Sequence, residues 1–207
     1  MTRYDVVQKF LPYLSLSKKI SADYPLVNGV VFFGEYGYMV SKSGVGRIKV
    51  DDRIIPTSAI MWNNEDETVI DAPKDVVAKI RRTSFLKRSL PSVFVKRSDL
   101  IALIKDLTPK RESKAKVILD INETISGITL RKNEVISKKK FLAHKNNGIS
   151  GKIEFNLFDF KKVVLEFFSD YDIIGIQISK NPIMFGRRSD KTKPAIDFVF
   201  KEGCYYD

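Results

Sequence analysis

Two stretches of the chain carry the same alternation of apolar and polar positions. They are Val93-Phe-Val-Lys-Arg-Ser-Asp-Leu-Ile-Ala-Leu-Ile-Lys-Asp-Leu107 and Ile153-Glu-Phe-Asn-Leu-Phe-Asp-Phe-Lys-Lys-Val-Val-Leu-Glu-Phe167. Each opens with alternating residues, Val93/Val95 and Ile153/Phe155, which share one face of an extended strand. A residue suited to helix capping follows, Ser98 and Asn156. Asp99 and Asp159 then stand where the positive end of a helix dipole favours a carboxylate. The stripes Leu100/Leu103/Ile104/Leu107 and Phe160/Val163/Val164/Phe167 have helical spacing and predict amphipathic helices. Beyond each helix the pattern returns to strands. Lys116 to Ile121, a turn at Asn122-Glu123 and Ile125 to Leu130 predict one hairpin. Asp172 to Ile178, a turn around Lys180-Asn181-Pro182 and Ile183 to Gly186 predict its counterpart. A further strand closes each unit, around Ser137 to His144 and Ala195 to Phe200. The unit is strand–helix–strand–strand–strand, recurring at a spacing of about 60 residues.

A looser copy lies at the front. Asp5 to Leu16 has helical character that Pro12 must shorten or kink. Val30 to Phe33, a Gly34-Glu35 turn and Tyr36 to Val40 predict a hairpin, with Arg47 to Val50 as the next strand. A degraded copy between Pro56 and Leu90 keeps strands Ser58 to Trp62 and Thr68 to Ile70 and a short helix Lys74 to Arg82. The reading is an α+β fold in two domains, 1–90 (shortened) and 91–207.

Composition supports a folded core: 43% of residues are hydrophobic, including 14 Phe, too many for disorder of the low-hydrophobicity kind. The one cysteine, Cys204, leaves no disulfide framework and fits a reducing, cytoplasmic setting. No apolar run reaches the length of a membrane span, so no membrane partner is expected. The net charge is +11, and its distribution is uneven. Residues 74–116 carry 13 basic against 4 acidic side chains, whereas 1–73 carry 8 against 9. Clustered positive charge attracts polyanions and points to nucleic acid.

The order and spacing of these units resemble those of DNA sliding clamps, namely bacterial beta clamps, proliferating cell nuclear antigen and the T4-type phage clamp. Gly151-Lys-Ile-Glu-Phe-Asn-Leu-Phe-Asp-Phe-Lys-Lys-Val-Val-Leu, Ile174-Gly-Ile-Gln-Ile and Ala195-Ile-Asp-Phe-Val-Phe look like the last half-domain of a clamp. Ser58-Ala-Ile-Met-Trp62, an acidic loop and Asp71-Ala-Pro73 are similar to the end of the first domain of phage clamps. The resemblance implies a clamp-like fold and a viral or phage processivity factor. Such a protein is not an enzyme, needs no cofactor, and tethers a DNA polymerase or the transcription machinery to duplex DNA. It implies helices that line the DNA side and meet phosphates without reading bases. On this chain those contacts fall to Lys9, Lys74, Lys79, Arg81, Arg82, Lys105, Lys161 and Lys162, with Lys138, Lys139 and Lys140 on a loop. A trimer or dimer ring, with or without a clamp loader, is one implied assembly. The excess positive charge is closer to the monomeric herpesvirus-type factors, which hold DNA electrostatically.

Other candidate sites weigh less. Ser43-Gly-Val-Gly-Arg47 lacks the Lys-Ser/Thr of a phosphate-binding loop and reads as a hairpin turn. His144 and Cys204 stand alone, which argues against a zinc site or a Cys/His dyad. Asp120, Asn122 and Glu123 fall at a hairpin tip. Glu65-Asp66-Glu67, with Asp51 and Asp52, form acidic loops rather than the core-strand carboxylates of a metal-dependent nuclease. No metal is therefore expected. The nuclease stays open as an alternative function, as does a single-strand DNA- or RNA-binding protein whose Phe32, Phe33, Tyr36 and Tyr38 stack on bases. Alternating strand aromatics fit core packing better. Phe85 and Leu86, flanked by Arg81, Arg82, Lys87 and Arg88, lie where a clamp's inter-domain linker receives partner peptides. They form one wall of such a pocket or dock onto their own domain.

Overall fold

A computed structural model describes residues 1–14, 29–41, 43–51, 58–64, 66–85, 91–107, 116–121, 125–132, 135–142, 145–147, 150–179, 181–187, 192–201 and 204–206. The chain divides into two compact units. One comprises Met1–Phe85 with Arg188–Lys201, the other Leu86–Arg187 with Glu202–Asp207.

The first unit opens with helix α1, Arg3–Phe10. Its start is a capping box: the Thr2 hydroxyl accepts from the Asp5 N–H, and the Asp5 carboxylate accepts from the Thr2 N–H at 2.8 Å. Those bonds favour the charged form, so the Asp5 carboxyl lies below its ordinary value. Pro12, within the 3₁₀ turn Leu11–Tyr13, ends the helix early, as its ring requires. Strands β1 (Gly29–Phe33), β2 (Tyr36–Val40), β3 (Gly44–Lys49), β4 (Ile60–Asn63) and β5 (Val69–Asp71) follow, then α2 (Lys74–Arg82). β14 (Ile196–Phe200) joins them from far along the chain. The order within the unit is β14-β3-β2-β1-β4-β5, antiparallel throughout.

β3 starts three residues before the expected Arg47. The glycine segment is therefore strand, and the turn closes earlier, where the Ser41 N–H donates to the Gly44 carbonyl at 2.8 Å. Gly44 has φ 156°, and a Cβ there would meet the Val199 carbonyl of β14 and sit 2.9 Å from the Phe198 ring. A strand running this close to its neighbour needs glycine.

The sheet of this unit carries a helix on each face. Phe32 and Gly37 are cross-strand partners, and a Cβ at Gly37 would stand 2.6 Å from Val6 of α1. The guanidinium of Arg3 lies 5.8 Å from the Phe32 ring. The alternate residues Val31, Tyr38 and Val40 form a separate cluster with Val45, Met61 and the α2 residues Val76 and Ile80. Because successive side chains leave a strand on opposite faces, α1 and α2 lie on opposite sides of the sheet.

The second unit contains both clear copies of the repeat except the closing strand expected at Ala195 to Phe200, which is β14 and pairs with β3 in the first unit instead. β6 (Ser92–Lys96) leads into α3 (Arg97–Leu107), then β7 (Lys116–Ile121), β8 (Ile125–Lys132) and β9 (Val135–Leu142). After the short β10 (Lys145–Asn146), β11 (Gly151–Asn156) leads into α4 (Leu157–Lys162), which continues as a π-helical turn, Val163–Phe167. β12 (Ile173–Gln177), β13 (Ile183–Gly186) and β15 (Cys204–Tyr206) complete the unit. The two hairpins form as the pattern predicts; the turn residues Asn122, Glu123 and Lys180, with His144, lie outside the described set.

The copies exchange their first strands. β6 pairs with β12 of the second copy, and β11 pairs with β7 of the first. Strand orders are β10-β6-β12-β13 and β15-β11-β7-β8-β9, so the unit is built on two sheets rather than one. The predicted inner faces are buried: Val93, Val95, Ile153 and Phe155 are at most 1% exposed, and so are Ile174 and Ile176. From α3 come Leu100, Leu103 and Ile104, and from the second helical segment Phe160, Val163, Val164 and Phe167. The side chain of Leu107 lies outside the described set. The Phe155 and Phe160 rings sit 5.3 Å apart, tying α4 to its own leading strand.

Asn156 caps α4 as expected, its side-chain oxygen accepting from the N–H groups of Phe158 and Asp159. Ser98 does not play that part. α3 already begins at Arg97, whose N–H donates to the Asp172 carbonyl at 2.8 Å. The Arg97 side chain donates to the carbonyls of Val164 and Leu165 at 2.9 and 2.8 Å, holding the start of α3 against the π turn.

Gly44→Ala should destabilise the protein by roughly 2 kcal/mol or more, since it adds both a disfavoured φ and a clash with β14. Urea unfolding of the variant and of Gly34→Ala separates the two effects. Gly34, at φ 58°, has no heavy atom within 4 Å of an added Cβ and should lose less.

Candidate nucleic-acid interface

The most basic element is α2. Val76 and Ile80 hold it to the sheet at 2% and 3% exposure, which turns Lys74, Lys79, Arg81 and Arg82 to solvent. Lys79, Arg81 and Arg82 stand in its last turn, where cations suit the negative end of the dipole. Arg81 lies 5.0 Å from the centre of the Phe33 ring, so its stem runs along the sheet while its charge remains exposed.

The other expected phosphate contacts are distributed differently. Lys9 is half-buried on α1, across the sheet from α2. Lys105 is exposed on α3, and Lys161 and Lys162 are half-exposed at the end of α4. Lys138, Lys139 and Lys140 were expected on a loop; they lie within β9, opposite Thr129, Ile128 and Gly127 of β8. The structure thus brings Lys74, Lys79, Arg81 and Arg82 together on one helix and separates them from Lys9.

Beneath α2 is a cluster that the sequence does not announce. Arg47 of β3 pairs with Asp197 of β14, and its guanidinium lies 4.6 Å from the Tyr36 ring and 4.2 Å from the Phe85 ring. Tyr38 meets Phe85 at 5.8 Å. Phe85 therefore docks onto its own unit, with Arg47 over its ring. Leu86 lies outside the described residues. Asp197 is 4% exposed, and burial pushes its carboxyl above the ordinary value while Arg47 pulls it back. Burial likewise raises the Tyr38 phenol. The two partners of the ion pair are 150 positions apart, so no local pattern connects them.

The acidic candidates are engaged in local structure. Asp66 accepts from the N–H and hydroxyl of Thr68, which lowers its pKa. Asp120 lies within β7, 3.7 Å from the Lys152 ammonium. Glu65 and Asp52 lie outside the described residues. Among the described residues no three His, Cys, Asp or Glu side chains are grouped to hold a metal, and no helix is long and apolar enough to cross a membrane.

No family model matches the sequence, and no curated protein matches it either. Solved structures do. The beta subunit of DNA polymerase III from Pseudomonas aeruginosa superposes over 96% of this chain with a TM-score of 0.66 at 10% identity. The Helicobacter pylori beta clamp in complex with diflunisal does so over 96% with a TM-score of 0.67 at 9% identity. A PCNA2–PCNA3 complex from Sulfolobus tokodaii matches 84% of this chain and 90% of its own, with a TM-score of 0.61 at 9% identity.

The chain has the sliding-clamp fold. It spans 64% and 63% of the length of the two bacterial clamps. At such low identity the likeness lies in the order and pairing of elements, of which the repeat pattern anticipated the order. In the first unit of this clamp fold, α1 and α2 occupy opposite faces of one sheet, and a buried ion pair ties β3 to β14.

Arg47→Met should destabilise the protein by about 3–5 kcal/mol at neutral pH, since it leaves a buried carboxylate unpaired. Losing Arg47 raises the folded-state pKa of Asp197 further. A carboxyl with a raised folded pKa contributes its stability below the unfolded value and loses it as pH rises. The deficit relative to wild type should accordingly shrink as pH falls from 7 towards 4, as read by urea unfolding at several pH values. A pH-independent deficit would assign the loss to packing alone.

Proposed function

We propose that this chain is a non-enzymatic, DNA-binding processivity factor that holds a polymerase or transcription complex on duplex DNA. The observation that carries the reading is the sliding-clamp fold across nearly the whole chain, joined to a set of solvent-facing Lys and Arg on its helices. The likeness to subunits of DNA polymerase III and to a PCNA complex supports both the DNA and the polymerase as partners. Lys105, Lys161 and Lys162 are the phosphate contacts in the second unit and Lys74, Lys79, Arg81 and Arg82 on α2 those in the first; Lys9, on the other face of that sheet, does not join the α2 set. Phe85, whose ring packs against Tyr38 and Arg47, is committed to its own unit rather than to a partner. Contacts of this kind neutralise phosphates without reading bases, which suits a protein that must move along DNA.

Duplex affinity measured by anisotropy should fall steeply with salt and vary little with sequence. For about five neutralised phosphates the log–log slope is near −4 to −5. Lys161→Ala with Lys162→Ala should reduce that slope by about 2, and Arg81→Ala with Arg82→Ala tests α2 separately. Exposed cations contribute roughly 0.5 kcal/mol or less each to folding, so both variants should unfold like wild type. Asp66→Ala with Glu67→Ala should bind as well as wild type. Salt-independent binding would remove the phosphate-tracking reading, and metal-dependent plasmid cleavage lost in the acidic variant would replace it with a nuclease.

A further inference from the structure

Phe158, the second residue of α4, is 62% exposed although Leu157 and Phe160 beside it are buried. The helix turns Leu157, Phe160, Val163 and Val164 inward, which leaves Phe158 on the outer side. Lys161 and Lys162, three and four residues on, stand one turn above it on that side. The exposed residues of β11, Lys152 and Asn156, are polar. An apolar protein partner would need a continuous apolar patch of a few hundred Å² or more, and here a single ring stands beside charged and polar residues, Asp159, Lys161, Lys162 and Asn156. α1 repeats the arrangement: Tyr4, its second residue, is 71% exposed and precedes Asp5 as Phe158 precedes Asp159. The second residues of α2 and α3 are Asp75 and Ser98, so helix geometry alone does not require an aromatic there.

We infer that α4 carries a nucleotide-stacking site, in which the Phe158 ring takes the face of an unpaired base while Lys161 and Lys162 hold the adjoining phosphates. An aromatic face accepts any base, and two ammonium groups within one helical turn complement the strand that carries it. No backbone N–H at the helix start is involved, because the Asn156 side chain already accepts those of Phe158 and Asp159. The inference rests on the proposed DNA-binding function and narrows its substrate to duplex DNA with unpaired nucleotides beside it.

Three fluorescent DNAs with the same duplex test it: one blunt, one with a short single-stranded overhang, and one whose overhang is abasic. The abasic probe keeps the phosphates and removes the bases. Wild type should bind the base-bearing overhang at least about fivefold more tightly than the abasic one. Phe158→Ala should abolish that difference while leaving the salt slope unchanged, and Phe158→Trp should keep it. Lys161→Gln with Lys162→Gln should weaken all three probes. Equal binding of the two overhangs by wild type, or a difference that survives Phe158→Ala, overturns the stacking site even where duplex binding and its salt slope are intact. Failure of every probe to bind overturns both this inference and the proposed function.

Discussion

The exchange of leading strands between the two copies of the repeat is the constraint on which the second unit depends. A strand followed by a helix and a hairpin leaves the strand's ladder groups without a neighbour in its own copy. Pairing β6 with β12 and β11 with β7 satisfies both ladders at once. The same exchange lets Val93, Val95, Ile153 and Phe155 bury beside the hairpins of the opposite copy. Neither copy can complete its sheet alone, so the unit forms as one cooperative body. Arg97 completes it by filling two carbonyls of the π turn from the start of the neighbouring helix. With the apolar sides of α3 and α4 committed inward, Lys105, Lys161, Lys162 and Phe158 are left on the outside.

The first unit is built on other terms. It has one sheet for two helices, and α1 and α2 each cover a face. A helix axis stands about 10 Å from what it packs on, so the two lie on the order of 20 Å apart. Screening at physiological salt acts over about 8 Å. The charge of α2 is therefore scarcely felt on the α1 side, and within this unit the two faces act as separate patches. Within this unit the Arg47–Asp197 pair sets the strand that arrives last, β14, against β3. A buried ion pair adds little net stability over an apolar pair but tolerates few alternative partners. Here it joins two residues that are cross-strand partners in the register of β3 and β14.

Around 10% identity is enough to retain the clamp fold, because the fold asks only that apolar residues recur with the right period and that strands end where turns can form. What such a protein does depends on the residues left outside. On this chain the residues left outside include the cations of α2 and α4 and the aromatic rings at the starts of α1 and α4.

Most of the elements were legible in the sequence. Period-two runs located β6 and β11, helical stripes located α3 and α4, Pro12 marked the end of α1, and Asn156 marked the start of α4. These signals are local, since a side chain's periodicity records which face of its own element is dry. They do not record what covers that face. Hence Lys74 to Arg82 was readable as a basic helix, but not the side of the sheet it would occupy. Ile196 to Phe200 was readable as a strand, but its pairing with β3 was not. Arg47 and Asp197 each looked like ordinary strand residues until the sheet set them side by side. Local sequence decided which residues would be buried and in what kind of element. Tertiary structure alone decided their partners, because hydrogen-bond ladders and buried charges are satisfied between segments far apart in the chain.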